Sequence, residues 1–175
     1  MTEQRHHADR ESRAGPLSSS RRRVVAGLGA GLAVGLAGCS DSARSPSYEE
    51  RTVEGVNGTA RNASEMSAAE AVAQQQVDQN LSMLDAITVE DHEFVLEDGY
   101  LGSTVQGTLS NTGDDRLESV EVRVRVYDGS DRQLGRYVAS TGDLSSGSSW
   151  SFTVVLLESP ADIAAYDLAA LGMTA

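Results

Sequence analysis

Hydrophobic and polar residues alternate strictly from Leu117 to Asp128, in the run LESVEVRVRVYD. Val120, Val122, Val124 and Val126 share one side, and Glu121, Arg123, Arg125 and Tyr127 share the other. A period of two marks a β-strand with one buried face. Residues 149–157, SWSFTVVLL, repeat the pattern with Trp150, Phe152, Val154 and Leu156 inward, and in residues 103–111 Val105, Gly107 and Leu109 fall on one face. The run from residue 86 changes parity: Ile87 and Val89 are odd, whereas His92, Phe94 and Leu96 are even. One extra residue reverses the faces of a strand, so the pattern predicts a β-bulge at Glu90–Asp91. Asp98-Gly99, Asn111-Thr112-Gly113-Asp114, Asp128-Gly129 and Ser145-Ser146-Gly147 punctuate the runs as turns. Short strands at this spacing, with no helical pattern between them, predict an all-β sandwich over residues 86–175.

Ahead of residue 86 the period is helical. In residues 65–85, EMSAAEAVAQQQVDQNLSMLD, Met66, Ala69, Ala73, Val77, Leu81 and Leu84 recur three and four apart, uninterrupted by Gly or Pro. Ser67-Ala68-Ala69-Glu70 has the form of a capping box. This predicts a short helix leaning on the domain, or offering a thin stripe to a partner. Residues 39–64 are rich in Ser, Gly and mixed charge with no apolar period, and are expected to form a flexible tether. Residues 160–171 stay open between two readings. Pro160 and the alanines suit a helix, while Tyr166, Leu168 and Ala170 alternate as in a strand.

The N-terminal pattern has another character. Val24 to Gly38 is an uncharged run of 15 residues containing five glycines. As a helix it would reach about 22 Å, short of a hydrocarbon core of about 30 Å. A basic cluster, a short apolar run and small residues compose a secretory signal. Ser20-Arg21-Arg22-Arg23-Val24-Val25 resembles a twin-arginine export signal, with Arg21 and Arg22 as the pair. Leu36-Ala37-Gly38-Cys39 resembles a lipobox, which makes Cys39, the chain's only cysteine, the expected lipid attachment. Residues 1–38 are then a signal peptide, and the membrane is a partner through lipid on Cys39. The expected location is the extracellular face of the cell membrane. On that side Asn57, Asn62 and Asn80 begin Asn-x-Ser/Thr sequons and are candidate N-glycosylation acceptors.

Charge narrows the partners. The chain has 26 acidic and 14 basic residues, and every basic residue is Arg. From Cys39 onward 23 acidic residues face 8 arginines, a balance of −15. Such a surface repels nucleic acid and anionic lipid at moderate salt. Molar salt shortens the screening length to about 3 Å and removes most of the self-repulsion, so the composition points to a halophilic protein.

Little in the sequence carries catalytic chemistry. His92 is the only histidine after the signal, and on an apolar face it reads as a packing residue. One His without a second Cys is too few preferred ligands for zinc. Asp114-Asp115 and Asp128-Gly129-Ser130-Asp131 place carboxylates in loops but lack EF-hand spacing. No catalytic residue, metal or cofactor is therefore expected, and the chain reads as no enzyme. Glu121, Arg123, Arg125 and Tyr127 form a candidate contact face, though a solvated sheet face is the simpler meaning.

Three stretches match a known pattern: Val105 to Gly113, Val122 to Val126 leading into Tyr127-Asp128, and Leu144 to Phe152. Together, over about residues 86–171, they resemble the FxLyD domain. The resemblance implies a small immunoglobulin-like β-sandwich of the kind carried by prokaryotic lipoproteins and exported proteins. It favours a strand near Tyr166 and supplies no catalytic residues. Where that pattern tends to have Gly after the Tyr-Asp pair, this chain has Asp131, which leaves the turn type open. With the twin-arginine signal, the lipobox and the acidic balance, the whole resembles lipoproteins of salt-loving archaea. The expected fold class is all-β: a small immunoglobulin-like sandwich preceded by a short helix and a disordered signal and tether region. The expected function is a lipid-anchored surface protein with an interaction module for a surface protein partner. The alternative is an accessory or solute-handling component of a membrane transporter or redox complex.

Overall fold

Alternation in the sequence becomes a two-layer sandwich in the computed structural model, which describes residues 46–56 and 58–175. The strands are β1 (Glu49–Thr52), β2 (Ile87–Leu96), β3 (Ser103–Asn111), β4 (Leu117–Tyr127), β5 (Gln133–Leu144), β6 (Ser149–Val155) and β7 (Ala165–Thr174). One helix, α1 (Ala63–Ala73), lies between β1 and β2 in the chain. All pairings are antiparallel, in two sheets ordered β1-β7-β4-β5 and β2-β3-β6. Between them sit Val120, Val122, Val124 and Val126 of β4, with Val105, Leu109, Phe152, Val154, Tyr166 and Leu168. Burying each such side chain stabilises the fold by about 1.5–3 kcal/mol, and the inward sets are the ones the alternation picks out.

The bulge stands where parity changes, with the β2–β3 register shifting between Val89 and Asp91. His92, Gly107 and Phe152 lie side by side across β2, β3 and β6. Gly107 is required there. A Cβ would strike the Asp91 carbonyl oxygen that the bulge pushes inward, and would come within 2.6 Å of the Phe152 ring. The open question over residues 160–171 resolves as a 3₁₀ turn, Pro160–Asp162, followed by β7. Strand β7 pairs with β4 along its length and with β1 over Ala165 to Leu168, and Tyr166 and Leu168 fill the core. In the β4–β5 turn Asp131 takes φ 58°, the left-handed backbone that Asp tolerates. The Asp128 carboxylate accepts hydrogen bonds from the Ser130 and Arg132 amides and closes that turn.

Three expectations are corrected. The tether reading fails for residues 46–62. Glu49–Thr52 pair with β7, and Arg61 donates to the Tyr100 and Leu101 carbonyls beside the β2–β3 turn. These are backbone partners far along the chain, and local composition does not register them. The helix is shorter and begins earlier than 65–85. Asn62 caps it, accepting from the Ser64 and Glu65 amides while Glu65 accepts from the Asn62 amide. Ser67 sits inside the first turns and donates back to the Ala63 carbonyl. The helix stops at Ala73 without a Gly or Pro because tertiary bonds capture the chain beyond it.

The third correction concerns the outward face of β4, which is covered rather than solvated. After α1, which packs on β6, the chain crosses the back of the β1-β7-β4-β5 sheet strand by strand. Gln75 accepts from Ser140 of β5, the Asp78 amide donates to Glu121 of β4, and Ser82 exchanges two backbone bonds with Gly172 of β7. Leu81 is buried on Ala169 and Leu171, with Tyr48 beside them. Residues 46–85 thus form a strap around the sandwich, and that strap places the residues of the site below.

Candidate functional site

One edge strand of each sheet, β1 and β2, border the same open seam. Register explains what lines it. On β1, Glu49 pairs with Leu168 and Arg51 with Tyr166. Both partners point into the core, so the two charged side chains hang over the gap between the sheets. Charge turned inward on an edge strand also discourages unwanted strand pairing. Across the seam, β2 presents His92, Phe94 and Leu96, the even-parity set that follows the bulge. Arg51, Val53, Glu54, Val56, Glu93 and Tyr166 complete a groove of about 460 Å³.

His92 is the centre of this arrangement. Its side chain is only 1% exposed, and its Nδ1 lies 2.8 Å from the Tyr166 hydroxyl. The two rings meet edge to face, 5.6 Å between centroids. Nε2 makes no hydrogen bond and faces Glu49 Oε1 at 3.4 Å. Burial holds the imidazole below its ordinary pKa of 6.5, opposed in part by the Glu49 charge. The ring is therefore neutral near pH 7, with one N–H and one lone pair. Nε2 faces a carboxylate, which only accepts, so the proton belongs on Nε2 and the Tyr166 hydroxyl donates to Nδ1. Burial also pushes the Tyr166 phenol up to about 12, which keeps it a donor. Arg51 donates to Glu49 Oε1 at 2.7 Å, and this bond holds the Glu49 carboxyl below its usual range. The result is a buried, oriented N–H facing a carboxylate that is already engaged by Arg51. An unmade bond of this kind costs about 1–3 kcal/mol. Among the described residues no serine, threonine or cysteine hydrogen-bonds His92.

Comparison with family models, characterised proteins and solved structures returns no match. The seam's chemistry therefore rests on its own geometry.

The other expected residues fall elsewhere. Arg21, Arg22, Cys39 and Asn57 lie outside the described residues. Asn62 is exposed at the start of α1, its Oδ1 used for the cap. Asn80 is exposed in the strap with its Nδ2 bonded to Asp78 Oδ1. The proposed contact face is spent on internal pairing. Arg123 pairs with Glu121 and donates to the Asp78 carbonyl. Arg125 forks onto both oxygens of Asp167, which also accepts from Tyr127, and its guanidinium lies 3.6 Å from the Tyr48 ring centre. None of these four residues reaches the seam. Sequence reasoning found His92 but not its setting, because Glu49 and Arg51 belong to a segment with no strand periodicity. The available signal was the parity of the bulge, which turns His92 inward. Among the described residues no three His, Cys, Asp or Glu converge as a metal site.

Proposed function

We propose that this chain is an exported protein of the cell surface, held by lipid on Cys39, whose β-sandwich is a binding module that uses the seam between β1 and β2. The observation that carries the binding role is the open groove between β1 and β2, where Phe94, Leu96 and Val53 lie beside His92 and the exposed carboxylates of Glu54 and Glu93. The export signal at Arg21-Arg22, the lipobox at Cys39 and the resemblance to FxLyD domains support the setting. So does the tyrosine-bearing final strand, which that resemblance favours. The role proposed for the seam is recognition. The acid excess suits work in concentrated salt and argues against a nucleic-acid partner.

The ordered strap sharpens the setting. Nine residues lie between Cys39 and Glu49, and this length of chain, fully extended, spans at most about 35 Å. Lipid on Cys39 would then keep β1 and the seam near the membrane surface, and not at the end of a long tether. The test is the fate of Cys39→Ala in the native host. The variant should leave the membrane fraction or remain unprocessed at higher mass. Unchanged membrane retention together with unchanged size would overturn the anchored reading.

A further inference from the structure

We infer that the free edge of β2 accepts an added β-strand, and that the partner is an extended polypeptide alternating apolar and basic side chains. This rests on the binding-module reading and names its ligand class. Strand β2 pairs only with β3. Among the described residues, no backbone or side-chain group bonds its other edge from Asp91 to Leu96. That leaves about six residues of strand beyond the bulge, enough to dock a short extended segment through main-chain bonds.

Two features select what the segment must be. Its inward side chains would lie beside Phe94 and Leu96 and face Val53 across the groove, so they must be apolar. Its outward side chains would run beside Glu93, with Glu54 on the opposite bank and Glu90 at the bulge. All three carboxylates are exposed and make no ion pair among the described residues. Opposite charges on neighbouring strands attract and like charges repel, so basic residues fit that side. A second copy of this chain is excluded by the same rule, because antiparallel β2 edges would set acids against acids. The bulge and the charges thus both guard the edge and specify its partner.

The test uses the full chain, at a salt concentration where circular dichroism shows it folded, and three probes. These are a capped heptapeptide alternating Val and Arg, its Val–Glu counterpart, and free arginine. The Val–Arg peptide should bind and slow hydrogen exchange of the amides of residues 91–96 at least ten-fold, while the Val–Glu peptide should do neither. Glu93→Arg should weaken the Val–Arg peptide at least ten-fold and admit the Val–Glu peptide. Glu93→Gln should give an intermediate loss, and Glu118→Arg, on the other sheet, should change nothing. Equal binding of both peptides, binding without protection of β2, or free arginine binding as tightly as the peptide would each overturn strand addition. No binding by any probe would overturn it too, while the anchored-protein reading is judged separately by Cys39→Ala.

Discussion

The back of the β1-β7-β4-β5 sheet and the seam between β1 and β2 are both built by the strap, residues 46–85, yet they end in opposite conditions. On the back, Glu121, Arg123 and Arg125 of β4 all find partners. Glu121 holds Arg123 and the Asp78 amide, and Arg125 is gripped by Asp167 and capped by Tyr48. At the seam, the same strap brings Glu49 to within 3.4 Å of His92 and leaves the bond unmade. Satisfied polar networks rigidify a fold, and a buried polar group left unsatisfied calls for an explanation of its own. Tyr48 and Glu49 are neighbours on one strand, and alternation sends the first to the closed face and the second to the open one. The contrast assigns structure to the back and recognition to the seam.

The comparison breaks most severely at Glu121. Its carboxylate is 2% exposed, pairs with Arg123 and accepts from the Asp78 amide. Glu121→Leu leaves a shielded guanidinium unpaired, and removing one partner of a buried pair costs about 3 kcal/mol or more. Urea unfolding should show a loss of that size, with faster hydrogen exchange at residues 78–82. The double variant with Arg123→Leu should regain much of the loss, and a double variant as unstable as the single one would contradict the pairing. Next in size is Gly107→Ala at the floor of the seam. The added methyl must displace the Phe152 ring or the bulged backbone at Asp91, costing about 1–3 kcal/mol. Thermal unfolding measures it, and a neutral outcome would mean that the bulge yields easily.

The smallest effect sharpens the seam by pH. Folding lowers the His92 pKa, so near and below 6.5 the unfolded chain binds more protons than the folded one. The charged groups acting on the ring are Glu49 and Asp91, which favour its protonated form, and Arg51, which opposes it. Stability from the neutral ring is complete above pH 6.5 and is lost as pH falls from there through the lowered folded value. His92→Gln keeps a polar partner for Tyr166 and does not titrate. Melting temperatures from pH 8 to 5.5 should decline more steeply for the natural chain than for the variant, and equal slopes would contradict the burial of a neutral imidazole.

Two kinds of information set what could be read in advance. A strand with one apolar face writes its own period into the sequence, so the valines of β4, the inward set of β6 and the bulge after Val89 were all legible. Even the left-handed turn at Asp131 was within reach, because its cause is local. The strap was not legible, and for one reason throughout. Strand β1 is the polar run Glu-Glu-Arg-Thr and forms through backbone pairing with β7, more than a hundred residues on. The helix ends at Ala73 because the next residues bond strands β5, β4 and β7, not because of any stop signal of their own. Glu121, Arg123, Arg125 and Tyr127 read as a solvated face, since nothing in their alternation reveals a covering chain. By itself, then, the sequence determined the sandwich, its inward faces and the inward turn of His92, because burial of apolar area follows a short period. Only the tertiary structure decided which polar face is closed and which edge is open, because backbone bonds and ion pairs join residues whose distance along the chain carries no pattern.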